Sequence, residues 1–371
     1  MKIEWALPTD AAELSQLWFD CFGDDQEFRS WFFSSRFWPE YCLVARLEEK
    51  IIGAVYGLPT HLWLRQKSIP AVIIGGVSTH PNHRGKGIMR RLFSAFMQEM
   101  HRRKIPLTFL HPVREDLYFS LEHYTVSDRG FLTLHADAPR PPKPRGIIPL
   151  EFGSRTQELH ACYQQYIAPY CGPVWRQHKD QLFKADDYRA GGARLIAAVD
   201  DQNRIEGYCY YFKDDKSVMG EECVALTQEA WLELAQQLAH IATGLELTIK
   251  LPCDHLPTLP GSIAETKPWG CAGAAHLPTL LQTLGGHSGF ALAVTDPVVP
   301  ANNGLFDLAG KACTQPAQVS LSAGHLTQWL WGYRSLAQLA AEGNALIHDA
   351  AAATQMDKLL PCQNCLCSEE Y

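Results

Sequence analysis

Apolar and polar positions in the first part of the chain recur with both strand and helix periods. They predict a strand at 2–6, helices at 10–21 and 27–33, a hairpin at 41–64, a strand at 69–78, a helix at about 87–103 and a strand from 107. In the longest helix, Ile88, Leu92, Phe96 and Met100 lie at helical spacing, which marks them as core residues. This mixture of strands and helices predicts an α/β domain.

A proline-rich segment at 139–146 separates this unit from a second one with the same order of elements. Prolines remove backbone donors and stiffen the chain, so we expect an extended linker. The second unit has predicted helices at 155–170 and 175–184, strands at 193–199, 205–212 and 217–226, a helix at 228–242 and a strand at 245–250. The repeated order predicts a duplicated fold with diverged sequence.

The last hundred residues form a third region that is rich in Leu, Ala and Gly. It has a strand-like segment at 289–296 and helical segments near 325–333 and 335–343. This composition predicts a small α/β module packed against the rest, and a lipid pocket is the alternative interpretation. The predicted domain ranges are 1–140, 141–270 and 271–371.

Composition excludes several classes of function. The net charge of −7 gives no overall attraction to nucleic acid. No apolar run is long enough to cross a bilayer, and the N-terminus lacks the apolar core of a signal peptide, so we expect a cytoplasmic protein without membrane contact. The twelve cysteines are mostly scattered singly, which favours reduced thiols over a disulfide framework.

The segment from Gly75 to Phe93 carries the clearest chemistry. It reads as a strand, a turn with glycines at 85 and 87, and a basic helix. Glycine allows a tight turn and a close approach of ligand to backbone, and the amides from Arg84 to Met89 would lie at a helix N-terminus, which favours a diphosphate. The basic residues that follow either contact phosphates or form a solvated helix face. The Walker and dinucleotide spacings are both missing.

The string Asn82-His83-Arg84-Gly85-Lys86-Gly87 resembles the acetyl-CoA loop of GNAT acetyltransferases, [RQ]-x-x-G-x-[GA], with asparagine in the first slot. With Asp116–Gly130, which is similar to the FYxxxGF segment of that family, and with the third region, the whole chain resembles Eis (enhanced intracellular survival)-type GNAT acetyltransferases. The resemblance implies two tandem GNAT-like acyl-CoA N-acyltransferase domains, the second degenerate and without CoA, and a C-terminal sterol-carrier-protein-like domain.

The resemblance also implies roles for individual residues. Tyr118 matches the tyrosine that acts as general acid towards the CoA thiolate, and the terminal carboxylate of Tyr371 matches the base. Backbone amides of Val77 and Thr79 would hold the thioester. The residues expected to bind acetyl-CoA are Val77, Ser78, Thr79, Arg84, Gly85, Lys86, Gly87, Ile88 and Met89.

Two details leave alternatives open. His123 stands where the family motif has glycine, so the turn before the last strand of the domain could differ. If the tail is not ordered, Glu27, Asp24 or His111 could be the base instead of Tyr371.

The predicted activity is direct acetyl transfer from acetyl-CoA to an amine within a ternary complex. By family analogy the acceptor is an aminoglycoside-like, polyamine or lysine amine, and the protein is a homo-oligomer, a trimer or hexamer. A tandem-GNAT aminoacyl transferase and a non-catalytic lipid or ligand carrier that senses CoA are the alternatives.

The tail carries Cys362, Cys365 and Cys367 in a C-x-x-C-x-C pattern. Thiolates at this spacing can bind zinc when a fourth ligand is present. No histidine is adjacent, so we expect structural or redox-sensitive thiols and no metal.

Overall fold

The computed structural model describes residues 1–254, 258–287 and 289–369. Its strands are β1 (Lys2–Trp5), β2 (Cys42–Leu47), β3 (Lys50–Leu64), β4 (Lys67–Thr79), β5 (Leu107–Leu110), β6 (Tyr124–Leu134), β7 (Ile147–Leu150), β8 (Arg194–Val199), β9 (Ile205–Lys213), β10 (Ser217–Ala225), β11 (Glu246–Leu251), β12 (Ser262–Ala274), β13 (Ala291–Thr295), β14 (Gly304–Asp307), β15 (Val319–Ser322) and β16 (Ala345–Ile347). Its helices are α1 (Ala11–Phe22), α2 (Gln26–Ser35), α3 (Ile88–Arg102), α4 (Asp116–Phe119), α5 (Thr156–Ile167), α6 (His178–Ala190), α7 (Gln228–Ile241), α8 (Leu277–Leu284), α9 (Ala323–Trp331), α10 (Leu336–Ala341) and α11 (Ala350–Leu359).

Twelve strands form one sheet in the order β1-β2-β3-β4-β5-β12-β6-β11-β10-β9-β8-β7. We call β1 to β5 with α1 to α4 the first half, and β7 to β11 with α5 to α7 the second half. Each half has antiparallel strands followed by one parallel pair, β4 with β5 and β10 with β11. The predicted α/β fold and its duplicated order are therefore observed, although the helix predicted at 175–184 lies at 178–190.

The two halves exchange their last strands at the centre of the sheet. β6 follows the first half in the chain but pairs with β11 of the second half. β12 follows the second half but pairs with β5 of the first half, and β6 and β12 pair with each other. Backbone hydrogen bonds therefore link both halves into one sheet. The domain ranges 1–140 and 141–270 remain a prediction.

The third region of the chain, which we call the third domain, consists of a four-stranded sheet in the order β14-β13-β15-β16 and of helices α8 to α11. Its buried side chains, among them Leu280, Leu326 and Trp329, share one apolar cluster with Leu62 and Ile69 of the first half. Burial of this shared cluster holds the third domain against the first half.

Arg65, at the tip of the β3–β4 hairpin, adds hydrogen bonds between the first half and the third domain. Arg65 donates to the carbonyl oxygens of Trp329 and Leu330 at 3.2 and 2.7 Å, which lie at the end of α9. It also donates to the carbonyls of Leu360 and Pro361 at 3.4 and 3.0 Å, where the C-terminal tail begins. The hairpin thus fixes the point from which the tail runs back into the molecule.

Candidate active site

The parallel strands β4 and β5 separate in the middle of the first half. They pair only from Ala71 to Ile73 on β4 and from Leu107 to Phe109 on β5. β4 continues to Thr79, whereas β5 ends at Leu110. The separation opens a slot beside β4, because no strand among the described residues pairs with β4 on this side beyond Ile73.

A β-bulge lies on the β4 side of this slot. Val55 of β3 faces two residues of β4, Gly76 and Val77, since the neighbouring pairs are Tyr56 with Gly75 and Ala54 with Ser78. Gly76 has φ of +53°, a conformation that favours glycine. A bulge leaves an extra residue unpaired, so it supplies backbone donors for a ligand in the slot.

The loop after β4 has the geometry that its glycines predict. Gly85 and Gly87 have φ of +75° and +69°, and the space where their Cβ atoms would stand is open. Gly87 is the N-cap of α3, and no side chain caps this helix. The first amides of the helix therefore have no partner within it, which suits an anionic ligand.

Two hydroxyl groups next to the bulge are buried and have no hydrogen-bond partner among the described residues. They are Ser78 Oγ and Thr79 Oγ1, and Ser78 is only 2% exposed. A buried hydroxyl without a partner is unfavourable, so the pair indicates a polar ligand. With the open glycines and the bulge, these groups fit the pantetheine and diphosphate of a CoA thioester.

Tyr118 lies in α4, just beyond the end of β5, and is half-buried. Its ring centroid is 5.7 Å from that of Phe93 on α3. Burial, and to a smaller extent the nearby Cys271 thiol, raises the pKa of Tyr118 to about 12. The phenol therefore keeps its proton at neutral pH.

The turn after Tyr118 needs a glycine-like conformation at Glu122 and not at His123, the residue expected to stand in place of the family glycine. The left-handed position is taken by Glu122, at φ +57°. His123 is fully buried, with Nε2 2.7 Å from Thr108 Oγ1 and Nδ1 2.9 Å from the Leu121 carbonyl. Gly273 makes room for the ring, since a Cβ there would lie 2.6 Å from His123. Burial lowers the pKa of His123 to about 4, so the ring is neutral.

The C-terminal tail lies between the two halves as far as Glu369. Leu366 donates to the Cys171 carbonyl at 2.8 Å, and Val174 donates to Ser368 Oγ at 3.0 Å. The tail thus runs as an extended segment beside residues 171–174. Tyr371, predicted as the base, and Glu370 lie outside the described residues.

Glu369 does not belong to a solvated acidic tail. It is buried, and Oε1 lies 2.6 Å from Arg176 Nη2, while Oε2 lies 3.1 Å from Lys184 Nζ. Arg176 also pairs with Glu222 at 2.6 Å. Burial by itself would raise the pKa of Glu369, but the two cations lower it to about 2. Its charge is therefore balanced inside the molecule by Arg176 and Lys184.

Two cavities lie beside the end of the tail. A small one of about 50 Å³ is lined by Glu369, Arg176 and Ile73, the last of which is where β4 leaves β5. A larger one of about 190 Å³ lies between the first and second halves, and its lining includes Phe28, Lys184, Asp187, Tyr188, Phe212, Glu221 and Ser368. The end of the tail and the slot thus share one region of the molecule.

The three alternatives to Tyr371 as the base have different surroundings. Asp24 accepts a hydrogen bond from Trp18 Nε1 at 2.6 Å, so one of its oxygens is already engaged. Glu27 is exposed on α2. His111 follows β5, and its ring centroid is 4.0 Å from that of Trp269.

The tail cysteines have separate surroundings. Cys367 Sγ accepts from Ser127 Oγ at 2.9 Å, whereas Cys362 Sγ lies 3.8 Å from Gln338 Oε1. Cys365 Sγ lies 3.5 Å from the carbonyl of Gln363. In the part of the chain that the structure describes, no three His, Cys, Asp or Glu side chains are placed to hold a metal ion.

Sequence reasoning missed Gly76 and the ion-pair network around Arg176. The Gly75-Gly76 pair inside a predicted strand is a signal for a bulge. Arg176 carries no comparable signal, because its carboxylate partners lie 46 and 193 residues away in the chain.

Two domain families match parts of this chain. Residues 4–125 match the acetyltransferase (GNAT) domain, and residues 277–368 match the sterol carrier protein domain. No curated protein sequence matches the chain. The protein is an acetyltransferase of the GNAT class, and enzymes with this domain transfer an acyl group from acyl-CoA to an amine.

Solved structures with the same fold extend over the whole chain. A probable N-acyltransferase from Enterococcus faecalis has 18% identity and a TM-score of 0.84, covering 100% of this chain and 99% of its own. A GCN5-related N-acetyltransferase from Anabaena variabilis has 17% identity and a TM-score of 0.81, covering 100% of both chains. Eis1 from Mycobacterium abscessus has 15% identity and a TM-score of 0.75, again over 100% of both.

Together, the two domain families and the full-length fold give this protein the architecture of an Eis-type GNAT acetyltransferase, which confirms the expectation from sequence. Within the described residues, no helix has both the length and the apolar character needed to span a bilayer.

Proposed function

We propose that the protein transfers an acetyl group from acetyl-CoA to a primary amine by direct attack in a ternary complex. The observation that carries the proposal is the slot between β4 and β5, which leads from the bulge at Gly76–Val77 to the open loop at Gly85 and Gly87. Amides of the loop and of α3 bind the diphosphate, with Arg84 and Lys86 beside them. Amides of Val77 and Thr79 hold the thioester carbonyl.

Tyr118 is the proposed general acid for the departing thiolate. It lies in α4, which follows β5 in the chain, with its ring centroid 5.7 Å from that of Phe93 on α3, and its raised pKa of about 12 keeps the phenol protonated. A phenol that holds its proton in the resting enzyme can donate it when a more basic thiolate forms beside it.

The carboxylate of Tyr371 is the proposed base for the attacking amine. The described tail ends at Glu369, whose side chain lines a cavity together with Ile73 of β4. Two further residues of extended chain can span about 7 Å, and the proposal is that they carry the carboxylate of Tyr371 towards the bulge. The ion pairs of Glu369 with Arg176 and Lys184 fix the point from which these residues start.

The larger cavity between the halves is the proposed binding site for the acceptor. Aromatic rings of Phe28, Tyr188 and Phe212 line it together with the carboxylates of Asp187 and Glu221. Aromatic faces and carboxylates together suit a cationic amine, which fits a polyamine or an aminoglycoside-like acceptor better than an anionic one. The charge of Lys184 in the same wall is balanced by its ion pairs with Asp187 and Glu369 at 3.0 and 3.1 Å.

Thiol release from acetyl-CoA tests the proposal, with spermidine, kanamycin and a lysine peptide as acceptors. We expect turnover with at least one of them, and a fall in kcat of about 100-fold or more when Tyr371 is deleted, because the amine then has no positioned base. The affinity for CoA, measured by calorimetry, should stay unchanged. Unchanged turnover without Tyr371 would contradict the role of the carboxylate, and failure to bind acetyl-CoA would contradict the proposal as a whole.

A further inference from the structure

Two aromatic rings close the space directly beside the bulge. A Cβ atom built on Gly76 would lie 2.4 Å from Cζ3 of Trp18 and 2.8 Å from Cδ2 of Tyr56. The rings of Trp18 on α1 and Tyr56 on β3 therefore touch the backbone of the bulge itself. Since the proposed function places the thioester carbonyl at this bulge, an acyl chain longer than acetyl would meet these rings.

Trp18 is held in place on several sides. It is 7% exposed, and its Nε1 donates to Asp24 Oδ2 at 2.6 Å. Its ring centroid lies 4.6 Å from that of Phe32 and 5.2 Å from that of Tyr56. The ring cannot move aside without losing the hydrogen bond and disturbing a closely packed cluster.

Tyr56 forms the second wall and is fixed by its strand. It is 2% exposed, and its ring also contacts Phe32 and Phe33 at 5.8 and 6.1 Å between centroids. Its hydroxyl is buried and has no hydrogen-bond partner in the described structure. The wall beside the bulge is thus made of two large rings that have little freedom to rearrange.

We propose that Trp18, fixed by Asp24 and backed by Tyr56, limits the acyl group to about the size of acetyl. The inference rests on the proposed position of the thioester at the bulge. Each methylene added to the acyl chain must displace packed aromatic atoms, so butyryl-CoA is a poor donor. In this account Trp18 is a specificity-determining residue, and it takes no part in proton transfer.

The test compares acetyl-CoA with butyryl-CoA in the intact protein and in variants. We measure kcat/KM with the acceptor that the thiol-release panel identifies, and the affinity for each acyl-CoA by calorimetry, which needs no acceptor. Trp18→Leu should raise the ratio of butyryl to acetyl kcat/KM by about tenfold or more, as expected when a pocket gains room for methylenes. Asp24→Ala, which frees the ring without shrinking it, should give a smaller rise.

Phe32→Leu is the matched control. Phe32 is buried at 3% exposure in the same cluster, yet it is not among the atoms that a Cβ on Gly76 would meet. It should lower stability as Trp18→Leu does but raise the ratio much less, because it loosens the support of the Trp18 ring and leaves the ring itself beside the bulge. Trp18→Phe, which keeps an aromatic ring in the core, gives a second variant if Trp18→Leu folds poorly, with a smaller rise in the ratio.

The outcomes separate this inference from the proposed function. Equal use of both donors by the intact protein, an unchanged ratio in the Trp18 variants, or the same rise in Phe32→Leu would overturn the inference and leave acetyl transfer in place. Absence of binding to either acyl-CoA would overturn the proposed function, and the inference with it.

Discussion

The two halves of the large sheet share a topology but differ at the end of their parallel pair. In the first half β4 leaves β5 after Ile73, and in the second half β10 leaves β11 after Gly220. Both long strands have a bulge beyond that point, at Gly76–Val77 and at Glu221. In the second half Glu221 pairs with Lys250 of β11 at 2.5 Å, so an ion pair spans the separation that is open in the first half.

The helices that follow the bulged strands also begin differently. α3 starts at Gly87, which provides no side-chain cap. α7 starts after Thr227, whose hydroxyl accepts from the Ala230 amide at 3.1 Å, and Glu229 adds a negative charge in its first turn. A helix that satisfies its own first amides and carries a carboxylate there disfavours a phosphate. The two halves therefore show that sharing this fold is not enough to form a CoA-binding site.

The largest effect should come from the hydroxyl of Tyr118. The ten residues after β11, 252–261, contain no tyrosine, so the second half has no counterpart. We expect Tyr118→Phe to lower kcat for acetyl transfer by about 10²- to 10⁴-fold, because the leaving thiolate loses its proton donor. CoA affinity by calorimetry should not change. A variant with the kcat of the intact protein would show that Tyr118 is not the acid.

The glycine loop allows a matched comparison between the halves. Gly87 and Gly192 have φ of +69° and +80°, and at both positions the space for a Cβ is open, but only Gly87 begins the proposed diphosphate site. Gly87→Val should weaken CoA binding by about 100-fold, since a small displacement of the amides disrupts the cradle. Gly192→Val carries similar backbone strain and should leave CoA affinity unchanged. Equal losses in the two variants would point to general destabilisation.

The turn that carries Tyr118 should also give the first half a pH-dependent stability. The pKa of His123 is about 4 in the folded protein and about 6.5 in an unfolded chain. The unfolded chain therefore binds a proton more readily between these values, so His123 contributes stability above pH 6.5 that is lost as the pH falls towards 4. The loss amounts to about 3 kcal/mol.

Chemical unfolding at pH 7 and at pH 4.5 measures this effect. His123→Gln, which removes the titrating ring, should be less stable at pH 7 and should lose less stability than the intact protein on acidification. The same pH dependence in both proteins would assign the effect to other groups.

The parts of this site that the sequence predicted are local ones. Gly85 and Gly87 lie within three residues of each other, and α3 follows at once, so spacing alone indicated an anion-binding turn. The helices and hairpins of both halves followed from periodicity for the same reason.

The parts that could not be predicted depend on contacts between distant segments. Nothing in the sequence of β6 indicates that it pairs with β11, because either half would accept an alternating strand at its edge. The burial of Glu369 depends on Arg176, 193 residues earlier in the chain. Its sequence neighbours suggest only an acidic tail. The role of Gly273 likewise depends on the ring of His123, which packs against it although the two residues lie far apart in the chain.

The smallest effect is expected from removing the Glu221–Lys250 ion pair, one of the two differences that could prevent CoA binding in the second half. Replacing Glu221 and Lys250 together by Gln and Met removes the ion pair without leaving one buried charge alone, which should change the free energy of unfolding by about 1 kcal/mol. Thr227 still caps α7 in this variant, and no glycine loop precedes it. We therefore expect calorimetry to give one CoA per chain before and after the change. A second equivalent of CoA would show that the ion pair, and not the start of α7, is what closes the second half.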